Sequence, residues 1–228
     1  MTSAQLSGSY VLVEGKNDKH VIQNLCRQHG LTIIIQDPTE RTKGSLEQVL
    51  SGGIAILLAR VSARLKEPGL EVLGVVVDAD LGMAARWDAL RDRLIANGYR
   101  SVPTVPIRDG WVSSDTNLRR VGIWLMPDNQ LPGILEDFVW TLLPAGDPLR
   151  LKAETIVSEI ERESLNNYPS VQHPKALIHT WLAWQEIPGQ PMGLAITAQA
   201  LCHDSPTAIA FVAWLRRLFA LGPTTEAI

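Results

Sequence analysis

Cysteine is almost missing from this chain. Of 228 residues, Cys26 and Cys202 are the only two, too few for a disulfide framework or a four-thiolate zinc site and in keeping with a reducing cytosol. No basic stretch followed by an apolar one opens the sequence, so no secretory signal is expected. Uninterrupted apolar runs such as residues 54–59 fall far short of the ~20 residues that cross a bilayer. The expected location is therefore cytoplasmic, with no membrane partner. An excess of positive charge is also lacking. Lys plus Arg is 21 and Asp plus Glu is 24, a net charge of −3. That excludes a globally basic nucleic-acid coat while leaving room for a local basic groove beside an acidic metal site. What the chain has is 46% apolar and 20% charged residues, enough for one sizeable core or for a domain with a helical annex.

Strand-like and helix-like stretches alternate through the first half. Residues 10–13 form a short apolar run ending at Glu14-Gly15. Val21, Ile22 and Leu25 then fall at helical spacing, and Gly30 stops that helix. Residues 31–35 are a second β-branched run. Ser45 with Gln48 predicts a capped helix start, bent at Gly52-Gly53 and continuing over 54–65. Residues 72–77 are apolar without alternation, as in a parallel strand buried on both faces. A helix is predicted over 83–96, an edge strand over 101–107 limited by Pro103 and Pro106, and another strand over 121–126. This order predicts an α/β, Rossmann-like parallel sheet of about four strands with helices on both faces. From about Gly146 the pattern turns helical, over 149–165, 174–185 and 206–221. The division expected is an α/β domain over 1–144 and a helical extension over 145–228 packed on it. Trp140, Trp181, Trp184 and Trp214 read as core anchors.

Carboxylates end two of the strands: Glu14 the first, Asp78 and Asp80 a later one. In open α/β sheets, ligands bind beyond the carboxyl ends of the strands, near the switch point. Neighbouring strands lie about 4.8 Å apart, and residues two apart on an ideal strand share a side at about 6.6 Å. Two unit charges about 5 Å apart repel by roughly 3 kcal/mol at an effective dielectric of 20. A hard cation such as Mg²⁺, or Mn²⁺ in its place, resolves that conflict. So does a carboxyl kept protonated, which suits a general acid. Asp18 either joins the cluster or favours a helix N-terminus that Asn17 caps.

The motifs Val13-Glu14-Gly15-Lys16-Asn17-Asp18 and Val77-Asp78-Ala79-Asp80, about 60 residues apart with an α/β segment between them, resemble the Toprim domain. That domain is shared by topoisomerases, bacterial primases, overcoming-lysogenization-defect nucleases, recombination mediators and a small ribosomal-RNA maturase. The resemblance covers roughly residues 8–140, which makes 1–144 a Toprim-like catalytic domain. It implies that Asp78 and Asp80 hold Mg²⁺ and that Glu14 is a general acid/base or a further metal ligand. The whole chain is also similar to small stand-alone Toprim proteins of uncharacterised function, some encoded beside ABC-type ATPases. In those, a strand is followed by Pro-Asp-Asn and then Leu-Glu-Asp, here Pro127-Asp128-Asn129 and Leu135-Glu136-Asp137. Asp128 follows a strand onto the same rim. Glu136 and Asp137 fall in a first helical turn, where the macrodipole alone favours acids; they also suit a second cation, since paired metals about 4 Å apart are common in phosphodiester cleavage.

Other chemistries lack their parts. Gly15-Lys16 has no Walker frame. Asp78-Ala79-Asp80-Leu81-Gly82 lacks the further acids of a calcium loop, and Leu81 breaks the dehalogenase-phosphatase pattern. The contiguous Cys202-His203-Asp204 sends its side chains apart, and the histidines show no metal-ligand spacing. None of Tyr10, Tyr99 and Tyr168 sits in a topoisomerase cleavage module, and primase modules and a four-cysteine finger are absent. What is left is Mg²⁺-dependent phosphodiester hydrolysis of DNA or RNA. In it Glu14 and Lys16 are catalytic, Lys16 offsetting charge on the phosphorus centre. The metal set is Asp78, Asp80, Glu14, Asp18, Glu136 and Asp137. Arg119 and Arg120 are expected to bind substrate, from a basic rim that includes Lys16, Lys19, Arg41, Lys43 and Arg108. The run 107–121, with Trp111, Ser113 and Ser114, reads as a substrate loop or as a solvated one. The alternative function is a non-catalytic module docking on an ABC-type ATPase or on nucleic acid through Trp181, Trp184 and Trp214. A homodimer is left open.

Overall fold

Handedness decides most of the architecture. The computed structural model describes residues 8–37 and 54–221. In chain order its elements begin β1 (Ser9–Leu12), α1 (Lys16–Gln28), β2 (Ile34–Gln36), α2 (Ile54–Arg64), β3 (Val72–Asp78) and α3 (Met83–Ala96). They continue with β4 (Trp111–Val112), β5 (Arg120–Met126), α4 (Leu135–Trp140), α5 (Pro148–Arg162), a 3-10 turn at Ser170–Gln172, α6 (His173–Leu182), α7 (Met192–Thr197) and α8 (Pro206–Leu218). The sheet order is β2-β1-β3-β5-β4. The first four pair in parallel and β4 is an antiparallel edge. The chain steps from β1 outward to β2, then crosses back over β1 to β3 and continues to β5. Parallel crossovers are right-handed, so a reversal of direction puts the connecting helices on opposite faces. Accordingly α1 lies on one face and α2 and α3 on the other. The switch point falls between β1 and β3.

Each face has its own core. Tyr10, Leu12, Leu73, Val75, Val77, Val121, Ile123 and Leu125 point toward α2 and α3, with Leu57, Trp87 and Leu90. Val11, Val13, Val76, Trp124 and Met126 point the other way, into a core shared with α1, α4, Trp181 of α6, and Phe211, Trp214 and Leu218 of α8. Of the helices after residue 145, α8 lies on the sheet itself, while α7 packs on α1 and α6 on α4 and α5. Gly74 and Gly122 are register partners on the middle strands, and both lie under Leu218. A methyl on Gly74 would come within 2.8 Å of Val11 and 3.1 Å of Leu218, and one on Gly122 within 2.9 Å of Leu218.

Several expectations are corrected. Residues 101–107 form no strand, because Pro103 and Pro106 remove the donors a ladder needs. Trp111–Val112 takes the edge instead, so the run 107–121 is not solvated throughout. Trp111 is buried, and its carbonyl accepts a 3.1 Å bond from the Trp214 indole. β2 begins three residues later than the β-branched run. The helix α7 was not expected. Trp181 and Trp214 are fully buried, so they are not a docking surface, whereas Trp184 is 39% exposed and is no core anchor. Ser45, Gln48, Gly52-Gly53, Arg41 and Lys43 lie outside the described residues. No helix among the described residues is long and apolar enough to cross a membrane.

Candidate functional site

β1 stops three residues short of the end of its neighbour β3, and a side chain continues the ladder. The last residue pair between β1 and β3 is Leu12 with Val75. Beyond it the Asp78 N–H donates to Glu14 Oε1 at 2.9 Å. The Glu14 carboxylate thus occupies the place where a strand carbonyl would sit. Asp78 is held from the other side, its Oδ1 accepting the Leu135 N–H at the start of α4, also at 2.9 Å. Glu14 and Asp78 therefore meet at the carboxyl end of the sheet, at the switch point, as the sequence predicted.

Two more acids face the same volume. Asp18, in the first turn of α1, is 8% exposed, and its Oδ1 has no hydrogen-bond partner. Glu136, in the first turn of α4, is 4% exposed. Burial lifts the Asp18 carboxyl to about 7, with the charges of Glu14 and Glu136 adding to the rise. Asp78 is pushed up to about 9 by burial and then by the charges of Asp18, Glu14, Glu136 and Asp80. Burial also raises Glu14, against the Asp78 N–H and the Arg86 charge, and raises Glu136 against Lys175 and His179. Four carboxyls that perturb one another this way share a region of low dielectric without enough positive charge.

The remaining predicted ligands are engaged elsewhere. The strand ends at Asp78, and Asp80 adopts φ +50, a conformation that Asp tolerates better than most residues. The pair therefore does not share one face of an ideal strand. Asp80 makes a two-way backbone bridge with Gly133, at 2.8 and 2.9 Å, and its half-exposed carboxylate is ion-paired with Arg86. Arg86 also donates Nε–H to the Asp78 carbonyl at 3.1 Å. Asp137 is a helix cap, its Oδ2 accepting the Ile134 N–H at 2.8 Å. Asp128 closes its own turn by accepting from Gln130 and Leu131. Lys16 opens α1 at the rim and is exposed.

Arg119 and Arg120 are not at this site. Arg120 begins β5 and pairs with Val72, the first residue of β3, whereas Asp78 pairs with Met126. Six residues of strand put roughly 20 Å between the two ends. The two arginines are also occupied there, Arg119 on the Glu67 carbonyl and Arg120 on that of Arg217. Sequence reasoning passed over Arg86 and Lys175 and weighed His179 only as a metal ligand. A signal existed for Arg86: a cation near a helix amino end, where the macrodipole disfavours it, needs a partner.

Among the described residues, no three His, Cys, Asp or Glu side chains are gathered tightly enough to hold a metal ion as they stand. The chemistry of the set still fits a hard cation. Its donors are all carboxylate oxygens, and Asp18 presents one that is buried and unmatched. No curated protein and no solved structure matches the chain. A family model does match, over residues 8–220, nearly the whole chain, and the chain therefore belongs to the family described as "Protein of unknown function (DUF3226)".

Proposed function

We propose that the protein is a Mg²⁺-dependent phosphodiesterase acting on nucleic acid, in the manner of Toprim nucleases. The observation that carries this reading is the Asp18 carboxyl, buried with an unmatched oxygen among Glu14, Asp78 and Glu136 at the switch point of the sheet. Buried like charges cost stability unless something else compensates them. Glu14, Asp18, Asp78 and Glu136 would hold the cation, with Asp80 available once it leaves Arg86. When bound, Mg²⁺ or Mn²⁺ supplies Lewis acidity to the phosphoryl oxygen and lowers the pKa of a water.

The chain's own groups do the rest. Glu14 has one oxygen fixed by the Asp78 N–H, which leaves the other to accept or return a proton at the attacking or leaving oxygen. Lys16, exposed at the rim, offsets charge on the phosphorus centre. Arg86 holds Asp80 until the site loads. A companion ABC-type ATPase rests on the Toprim resemblance alone. The test is cleavage of single- and double-stranded DNA and RNA with Mn²⁺. Glu14→Gln and Asp78→Asn should each lose at least about 100-fold in rate while melting cooperatively. Full activity in either variant overturns the reading.

A further inference from the structure

The helical half of the chain carries a feature that the carboxylate site does not use. One face of α6 and the turn before it line an open pocket of about 520 Å³, bordered by Tyr168, Gln172, Lys175, His179 and Thr180. Lys175 and His179 are four residues apart and so lie on one helix face. Ala176 and Ala183 on that face leave the floor low. Lys175 is half-buried, makes no ion pair among the described residues, and His179 is exposed. Tyr168 is oriented by donating its hydroxyl to Glu161 at 3.0 Å, and His173 holds the same carboxylate at 2.8 Å.

The pocket adjoins the acids. α6 packs on α4, and the charges of Lys175 and His179 reach Glu136. With a divalent cation on the carboxylates, the Glu136 charge is taken up by that cation. The Lys175 ammonium and the His179 imidazole both border the pocket, and the lysine has no ion-pair partner there among the described residues. Ammonium and imidazole donors beside amide, hydroxyl and an aromatic face form a set suited to a phosphate with a base attached.

We propose that this pocket seats a phosphate of a nucleic-acid strand flanking the one at the carboxylates, with Lys175 and His179 on the phosphate and Tyr168 against a base. The assignment rests on the phosphodiesterase reading for its ligand class, yet it is tested by binding alone. The probe is a short fluorescein-labelled single strand, DNA in one series and RNA in another, in Ca²⁺ buffer, read by anisotropy across a salt titration. Lys175→Ala and His179→Ala should each weaken binding about tenfold, and the slope of log K against log salt should shrink by about 0.7 for Lys175→Ala. Lys175→Arg should restore both. Inorganic phosphate and a mononucleotide serve as competitors. Displacement only at concentrations far above those of unlabelled strand supports a polymer ligand. Displacement by the mononucleotide as effective as by the strand overturns that assignment.

Unchanged affinity and slope in folded Lys175→Ala and His179→Ala also overturn the proposal, as does a wild-type protein that binds neither strand. Weakened binding in these variants alongside a wild type that never cleaves would retain the pocket and sink the phosphodiesterase.

Discussion

Replacing Asp18 by Asn separates a charge problem from a packing problem. The two side chains have nearly the same shape, so the substitution removes the charge and little else. In the folded protein the Asp18 carboxyl titrates at about 7 rather than at its ordinary 3.8. That gap corresponds to roughly 4 kcal/mol. Between those pH values the folded chain holds a proton that the unfolded chain has released. Its stability therefore falls as pH climbs from about 4 to 7 and stays low above. Burying the amide costs about 1–3 kcal/mol of its own, which leaves a net gain of roughly 2 kcal/mol for Asp18→Asn at pH 8. For a chain of this size that is about 4–8 °C in Tm. Below pH 4 the charge contribution is gone, and the cost of the amide leaves the variant less stable than wild type by about 1–3 kcal/mol.

The assay is thermal melting of wild type and variant, with chelator, across pH 4 to 9. With Mg²⁺ the order should turn round. Occupancy at about 100 times Kd stabilises wild type by about 2.7 kcal/mol, and the variant, lacking a ligand oxygen, gains less. A wild-type-to-variant difference that stays constant with pH would refute the claim that Asp18 is buried without a counter-charge.

Two further predictions concern the scaffold. Gly74→Ala pushes a methyl into Val11 and Leu218 and should cost about 1–3 kcal/mol; combined with Leu218→Ala, denaturant melts should show less than the sum of the single losses, by at least about 0.5 kcal/mol. Asn129→Ala removes the acceptor of the buried Leu125 N–H, now bonded at 2.7 Å, and should cost about 1–3 kcal/mol by the same measurement.

The fold was legible where local chemistry and topology agree. Residues 72–77 were the most strand-like segment, apolar without alternation, and a parallel strand ending in acids at a switch point announces a site. Glu14 and Asp78 followed from that alone. Asp80 did not, because its positive φ depends on the bridge to Gly133, a partner more than fifty residues away. Asp137 and Glu136 were indistinguishable in sequence; one caps its helix and the other turns inward. The misplacement of Arg119 and Arg120 was avoidable, since residues that precede a strand parallel to β3 must lie at its amino end. β4 is two residues long and α7 contains a glycine next to its first residue, too little pattern for either to show.

The glycine pair under Leu218 bears on how the chain is made. The five described strands leave the ribosome well before α8 does, so the sheet face that α8 shares with α1 and α4 spends that interval only partly covered. Val11, Val76 and Trp124 then form a sticky apolar surface on a half-finished protein, of the kind that draws chaperones or aggregates. A shortened product lacking α8 would keep that surface permanently and should be recovered from cells in the insoluble fraction.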